Sequence, residues 1–94
     1  MRINVSNKTA LSNRYVRYIK WRLYRLKEKF SDMIYADAFL KKEGQKPATY
    51  KLNVRIGVAG KDLVIRNKSQ SVDELMRLFH QDVDRYLSKR KLVK

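Results

Sequence analysis

The spacing of the apolar residues changes twice along this chain, and that change restricts what it can fold into. Val16, Ile19, Leu23, Leu26 and Phe30 follow one another at steps of 3, 4, 3 and 4, a stripe down one side of a helix. The period then drops to two. Ile34, Ala36, Ala38 and Leu40 alternate with other residues from Met33 to Leu40, and Tyr50, Leu52, Val54, Ile56 and Val58 alternate with Lys51, Asn53, Arg55 and Gly57. Both patterns predict strands, because successive side chains of an extended backbone point to opposite faces. Ala59-Gly60-Lys61 reads as a tight turn, and Asp62 to Lys68 as the returning strand. The helical period resumes with Val72, Met76, Phe79, Val83 and Tyr86 or Leu87, and the second helix is expected to run to about Arg90.

The boundaries carry their own chemistry. Arg2 to Ser6, with Ile3 and Val5 alternating with polar neighbours, is expected to be a short first strand. Ser12 is a candidate N-cap, and Leu11 can pack on Val16 as a hydrophobic staple. Ser71 and Glu74 are spaced as a capping box, each able to cap the other's backbone N–H. Lys41 to Thr49, with Gly44 and Pro47, reads as a loop. The order is β-α-β-β-β-α, an α+β domain. Two amphipathic helices and four strands pack most simply as two layers. The expected sandwich is therefore a four-stranded, mostly antiparallel sheet with two parallel helices on one face. Asp37 marks the outer face of the second strand, so its Ala-bearing side is expected to face inward. Tyr35 and Phe39 then fall on the open face, read as aromatics covering a half-exposed sheet. No repeat, linker or low-complexity stretch divides the 94 residues, so one domain spanning 1–94 is expected, with a basic tail at 91–94.

The charge sets this domain apart. Lys and Arg number 23 against 9 Asp and Glu, a formal net of +14, while the hydrophobic fraction of 44% is that of an ordinary globular protein. So much like charge on a small body opposes folding through self-repulsion, and a polyanionic partner relieves it. Nucleic acid is the expected partner. There is no Cys, which leaves no disulfide framework and no thiolate metal site. No apolar run reaches the roughly 20 residues that span a bilayer, and the opening Met1-Arg2-Ile3-Asn4-Val5 is too polar for a signal peptide. An intracellular, cytoplasmic protein is expected.

The first helix locates the charge. From Ser12 to Phe30 there are seven Lys/Arg (Arg14, Arg17, Lys20, Arg22, Arg25, Lys27 and Lys29) and a single acid, Glu28. An ordinary solvated helix mixes signs to gain i,i+4 pairs, each worth about 0.2–0.5 kcal/mol; this one forgoes them. Tyr18, Arg22, Arg25 and Lys29 share a narrow stripe. Guanidinium groups fork onto phosphate oxygens, and a neighbouring ring can stack on an unpaired base. Trp21, nearly opposite the core stripe, is expected to meet a ligand or partner; Tyr24 could as well cover apolar surface. In the second helix Arg85, Lys89, Arg90, Lys91 and Lys94 crowd the C-terminal end. Macrodipole compensation accounts for part of that gradient. The RNA-contact set expected from the sequence is Arg14, Tyr18, Trp21, Arg22, Arg25, Lys29, Arg85, Lys89 and Arg90. Replacing Arg22 and Arg25 by Ala should flatten the salt dependence of binding and leave the thermal midpoint nearly unchanged.

Catalysis finds little support. His80 is the single histidine and reads as a flank residue rather than a general base. Asp82 and Asp84 point in different directions, the three glycines are scattered, and no metal-ligand spacing occurs. No enzyme activity, metal or cofactor is expected.

Several strings in order carry a resemblance across essentially the whole chain. They are Arg2-Ile3-Asn4-Val5-Ser6, Arg22-Leu23-Tyr24-Arg25-Leu26, Gly60-Lys61-Asp62-Leu63 and Arg85-Tyr86-Leu87-Ser88-Lys89-Arg90-Lys91. Together they resemble the short ribosome hibernation-promoting factors, the family that includes the ribosome-associated translation inhibitor. The resemblance implies a bacterial protein docked on the small ribosomal subunit, in the channel between head and body where mRNA and tRNAs pass. It implies obstruction of translation and a link to the dormant ribosomes of stressed or stationary-phase cells. It carries rRNA contact over to Arg22, Arg25, Arg85 and Lys89, and extends it to Lys29 and Arg90. This chain's first helix is richer in arginine and aromatics than the family pattern, and without the dimerisation domain of the long members no self-driven pairing of ribosomes is expected; pairing through a second factor stays open. Two other classes stay open at this point: a general double-stranded nucleic-acid binder, and a protein-interaction module for an acidic partner such as a transcription factor.

Overall fold

A computed structural model describes the backbone of residues 2–93, and side-chain surroundings throughout that range except at residue 61 and residues 87–93. The elements follow the expected order: β1 (Arg2–Lys8), α1 (Asn13–Lys29), β2 (Met33–Glu43), β3 (Thr49–Val58), β4 (Lys61–Ser69) and α2 (Val72–Val93). The sheet order is β1-β2-β3-β4. β1 lies parallel to β2, whereas β2–β3 and β3–β4 are antiparallel. The topology follows from the connections. Parallel neighbours need a crossover, which α1 supplies; antiparallel neighbours need only short loops. Val58 pairs with Lys61 across the two-residue turn Ala59-Gly60. Gly60 takes the positive φ of 90° that this turn demands and that a side chain would oppose.

The two helices cover one face. α1 packs over β1 and β2, and α2 over β3 and β4. Between the layers lie Ile19, Leu23 and Leu26 of α1 with Phe30 at its C-cap, Leu75, Met76, Phe79 and Val83 of α2, and the inward residues of the strands. Ala36 and Ala38 are fully buried, as expected of a strand that a helix approaches closely. Leu75, outside the expected stripe of α2, is fully buried as well. Both i,i+3 and i,i+4 neighbours of Phe79 therefore contribute to that helix's apolar face.

The termini of the helices are capped largely as the sequence indicates. Ser12 Oγ accepts from the Arg14 N–H at 3.2 Å, and Leu11 packs partly buried against the core. At α2 the Glu74 N–H donates to Ser71 Oγ at 3.3 Å. The reciprocal arm of the expected box is replaced by a relay. The Ser71 N–H donates to Ser69 Oγ (3.1 Å), whose hydroxyl donates to the Glu74 carboxylate (2.9 Å).

One expected inward residue points out. Ile34 is 59% exposed, because the β2–β3 register shifts between Met33 and Tyr35. A bulge places one extra residue on β2, so Met33 turns into the core and alternation restarts at Ala36. On the open face Tyr35 is paired with Gly57, and its ring occupies the space that a Cβ at Gly57 would need. The Arg2 guanidinium sits 5.3 Å from the ring centroid and donates to Asp37 at 3.1 Å. Burial under these neighbours pushes the Tyr35 phenol above its ordinary pKa, with the Asp62 carboxylate adding to the shift.

Candidate nucleic-acid interface

The outer surface of α1 is a basic face with exposed aromatics. Arg14, Arg17, Lys20, Arg25 and Lys29 are exposed, and Glu28 is the only acid on the helix. Glu28 holds Arg25 loosely, at 3.8 Å. Trp21 is 53% exposed and Tyr24 similarly so, so Trp21 does not bury itself against the domain. The guanidinium carbons of Arg22 and Arg25 each lie 5.9 Å from the Trp21 ring, and the Tyr18 ring is 6.2 Å away and tilted. A guanidinium over an indole is attracted to its π face, so Trp21 and the two arginines form one cluster whose ring stays half exposed. This is the combination that binds phosphate on one side and a base on the other.

The stripe of Tyr18 and Arg22 turns toward α2. Tyr18 Oη lies 3.3 Å from His80 Nδ1, and Arg22 Nη2 donates to Asp84 Oδ1 at 3.0 Å. Both pairs are separated by 62 residues, so the two helices advance together and run parallel. Asp84 Oδ2 also receives His80 Nε2 at 3.1 Å. The Arg22 side chain is only 12% exposed and its Nε has no partner. Arg22 is thus a residue of the seam between helices, unlike the freely exposed Arg25 and Lys29. Its aliphatic stem is packed and its charge is shared with Asp84, so the expectation that Arg22→Ala would leave the thermal midpoint nearly unchanged does not fit its position. His80, read as a flank residue, lies in the same seam. Asp82 faces away from it, accepting from Asn67 Nδ2 at 2.9 Å and pairing with Arg85 at 3.5 Å.

At the N-terminal end of the helix pair, Arg14, Tyr15, Tyr18 and Met76 line an open cleft of about 290 Å³. Arg14 lies over the Tyr15 ring at 5.0 Å and donates to its hydroxyl at 3.2 Å, which raises the Arg14 pKa further above its ordinary value. Of the remaining expected residues, Arg85 is well exposed, while the side chains of Lys89 and Arg90 lie outside the described residues. Asp84 was not legible as the anchor of Arg22, because a partner 62 positions away leaves no local signal.

Among the described residues no group of His, Cys, Asp and Glu could hold a metal ion, and no helix is long and apolar enough to cross a membrane. What the fold and this surface define is a two-layer β-α-β-β-β-α domain that presents a basic, aromatic-bearing helix. Solved structures of this fold include the N-terminal domain of Protein Y from Thermus thermophilus, at a TM-score of 0.70 and 16% identity over 100% of both chains. A ribosomal subunit interface protein from Coxiella burnetii matches at a TM-score of 0.66 and 14% identity, over 94% of this chain and 99% of the other. Both are of the kind to which the sequence resemblance pointed. No protein-family model matches the chain, and no curated protein matches it significantly.

Proposed function

We propose that this protein is a ribosome-associated inhibitor of translation that occupies the mRNA and tRNA channel of the small subunit. The observation that carries the reading is the solvent-facing Trp21 between Arg22 and Arg25, on a helix face with Arg14, Arg17, Lys20 and Lys29 and one acid. The fold supports it, since its solved neighbours include a ribosomal subunit interface protein. In this reading the exposed cations of α1 and Arg85 of α2 grip rRNA phosphates, Trp21 and Tyr24 stack on unpaired bases, and the cleft beside Arg14 and Tyr18 receives a further base. Lys89 and Arg90 continue the basic end of α2. The protein acts by occupying a site rather than by catalysis, in the bacterial cytoplasm where ribosomes are, and it brings no cofactor.

The test is sedimentation of the purified protein with bacterial small subunits through a sucrose gradient at low salt. Comigration is expected, with release as salt rises. If about 6–8 phosphates are neutralised, a log–log plot of affinity against salt should have a slope of roughly −5 to −7. A protein that stays at the top of the gradient refutes the reading. Equal affinity for naked duplex RNA would favour a general double-stranded binder.

A further inference from the structure

On the open face of the sheet, remote from the helices, the register aligns four lysines. Lys8 of β1 pairs with Lys41 of β2, Lys41 with Lys51 of β3, and Lys51 with Lys68 of β4. They form one row across every strand, and each is at least partly exposed. Neighbouring strands lie about 4.8 Å apart, so the row is a straight line of cations roughly 14 Å long. The adjacent row holds Ser6, Phe39, Asn53 and Arg66. Phe39 is 53% exposed there, about 7 Å from the lysine row along the strand.

This arrangement costs stability. Directly opposed like charges are destabilising, where opposite charges would have been favourable. Lysines on edge strands are a known guard against edge-to-edge pairing, which accounts for Lys8 and Lys68. It does not account for Lys41 and Lys51, whose strands are central and already paired on both sides. Glu43 offsets part of the charge, holding Lys51 at 3.0 Å and Lys41 at 3.5 Å. The Lys51 contact above all lowers the Glu43 pKa below the ordinary carboxylate value. One acid against four lysines and Arg66 leaves this end of the face strongly cationic.

We propose that this row is a second nucleic-acid surface, which binds a single-stranded segment running across the strands with its phosphates over Lys8, Lys41, Lys51 and Lys68 and a base on Phe39. A line of lysines matches a line of phosphates, and an exposed ring one row away offers a stacking platform that only an unpaired base can use. Duplex would leave Phe39 without a base. The surface is independent of the basic face of α1.

The test is titration of the isotopically labelled full chain with a twelve-residue oligouridylate, followed by amide NMR. Saturable shifts are expected at residues 6–8, 39–41, 51–53 and 66–68. Replacing all four lysines by Gln should abolish those shifts, weaken binding at low salt at least tenfold and reduce the salt slope by about 3. Its thermal midpoint should be unchanged or higher, since repulsion is removed. Phe39→Ala alone should weaken binding about fivefold or more, with the fold intact. Shifts confined to α1 and α2, or unaltered affinity in the four-lysine variant, would overturn the proposal. So would vesicles of phosphatidylcholine with one-quarter phosphatidylserine that bind the same amides and are not displaced by the oligonucleotide. Because the readout is free oligonucleotide on the sheet, it stands apart from cosedimentation with ribosomes, which reads the helix face.

Discussion

Arg22, Arg25 and Trp21 sit within one turn and a residue of each other, yet their surroundings assign them different work. Arg25 and Trp21 face water, whereas Arg22 is packed between the helices and tied to Asp84. Trp21→Ala should therefore leave the thermal midpoint almost unchanged and weaken ribosome binding by about one stacked base, 1–3 kcal/mol, measured by competition cosedimentation. Arg22→Ala should instead lower stability by about 1–2 kcal/mol. Most of this comes from lost packing of its stem, because Asp84 is half exposed and the ion pair is screened. In a domain of this size that is a fall of roughly 4–16 °C in thermal unfolding. Tyr35 makes a third residue-scale case. Gly57→Ala forces its ring off the sheet, so the phenol titration followed by ultraviolet absorbance should move down toward the ordinary value near 10. In the native protein the raised phenol pKa means the neutral form is favoured on folding. That contribution is present below the unfolded pKa and is lost as pH rises through the folded one.

At the scale of elements, the start of α2 hangs on two hydroxyls. Ser71 Oγ caps the Glu74 N–H, and Ser69 Oγ connects the Ser71 N–H with the Glu74 carboxylate. Removing either should cost about 1 kcal/mol and speed amide exchange in the first turn of α2, with α1 unaffected. Exchange unchanged in Ser69→Ala would show that the relay contributes nothing beyond the Ser71 cap. The bulge in β2 belongs to the same scale. It changes the side on which Ile34 and Met33 fall while the rest of the strand keeps its pattern, and it is the reason strict alternation misplaces one residue at the strand's start.

The whole molecule carries +14 of charge on a body whose two shorter dimensions are 24 and 21 Å. Those dimensions exceed the Debye length of about 8 Å at physiological ionic strength. The helix face and the lysine row therefore act as separate fields, each repelling mainly within itself. Raising salt from about 10 mM to 500 mM should raise the thermal midpoint in scanning fluorimetry, because screening relieves self-repulsion. A midpoint that falls with salt would mean that the ion pairs outweigh the repulsion.

Period and capping residues determined the elements, because both act within a few residues of the chain: the steps in α1, the alternation in β3 and the Ser12 cap could be read directly. The basic, aromatic outer face of α1 was legible for the same reason, since helix geometry alone decides which side chains share a face. The register between strands and the meeting of the two helices were decided only by tertiary structure. Which lysine lies beside which depends on strand pairing across dozens of residues, and Arg22 is held by a carboxylate 62 positions away. A cation's sequence neighbours can place it outside the core. Only packing distinguishes one left free for a phosphate, such as Arg25, from one already held by its own protein, such as Arg22.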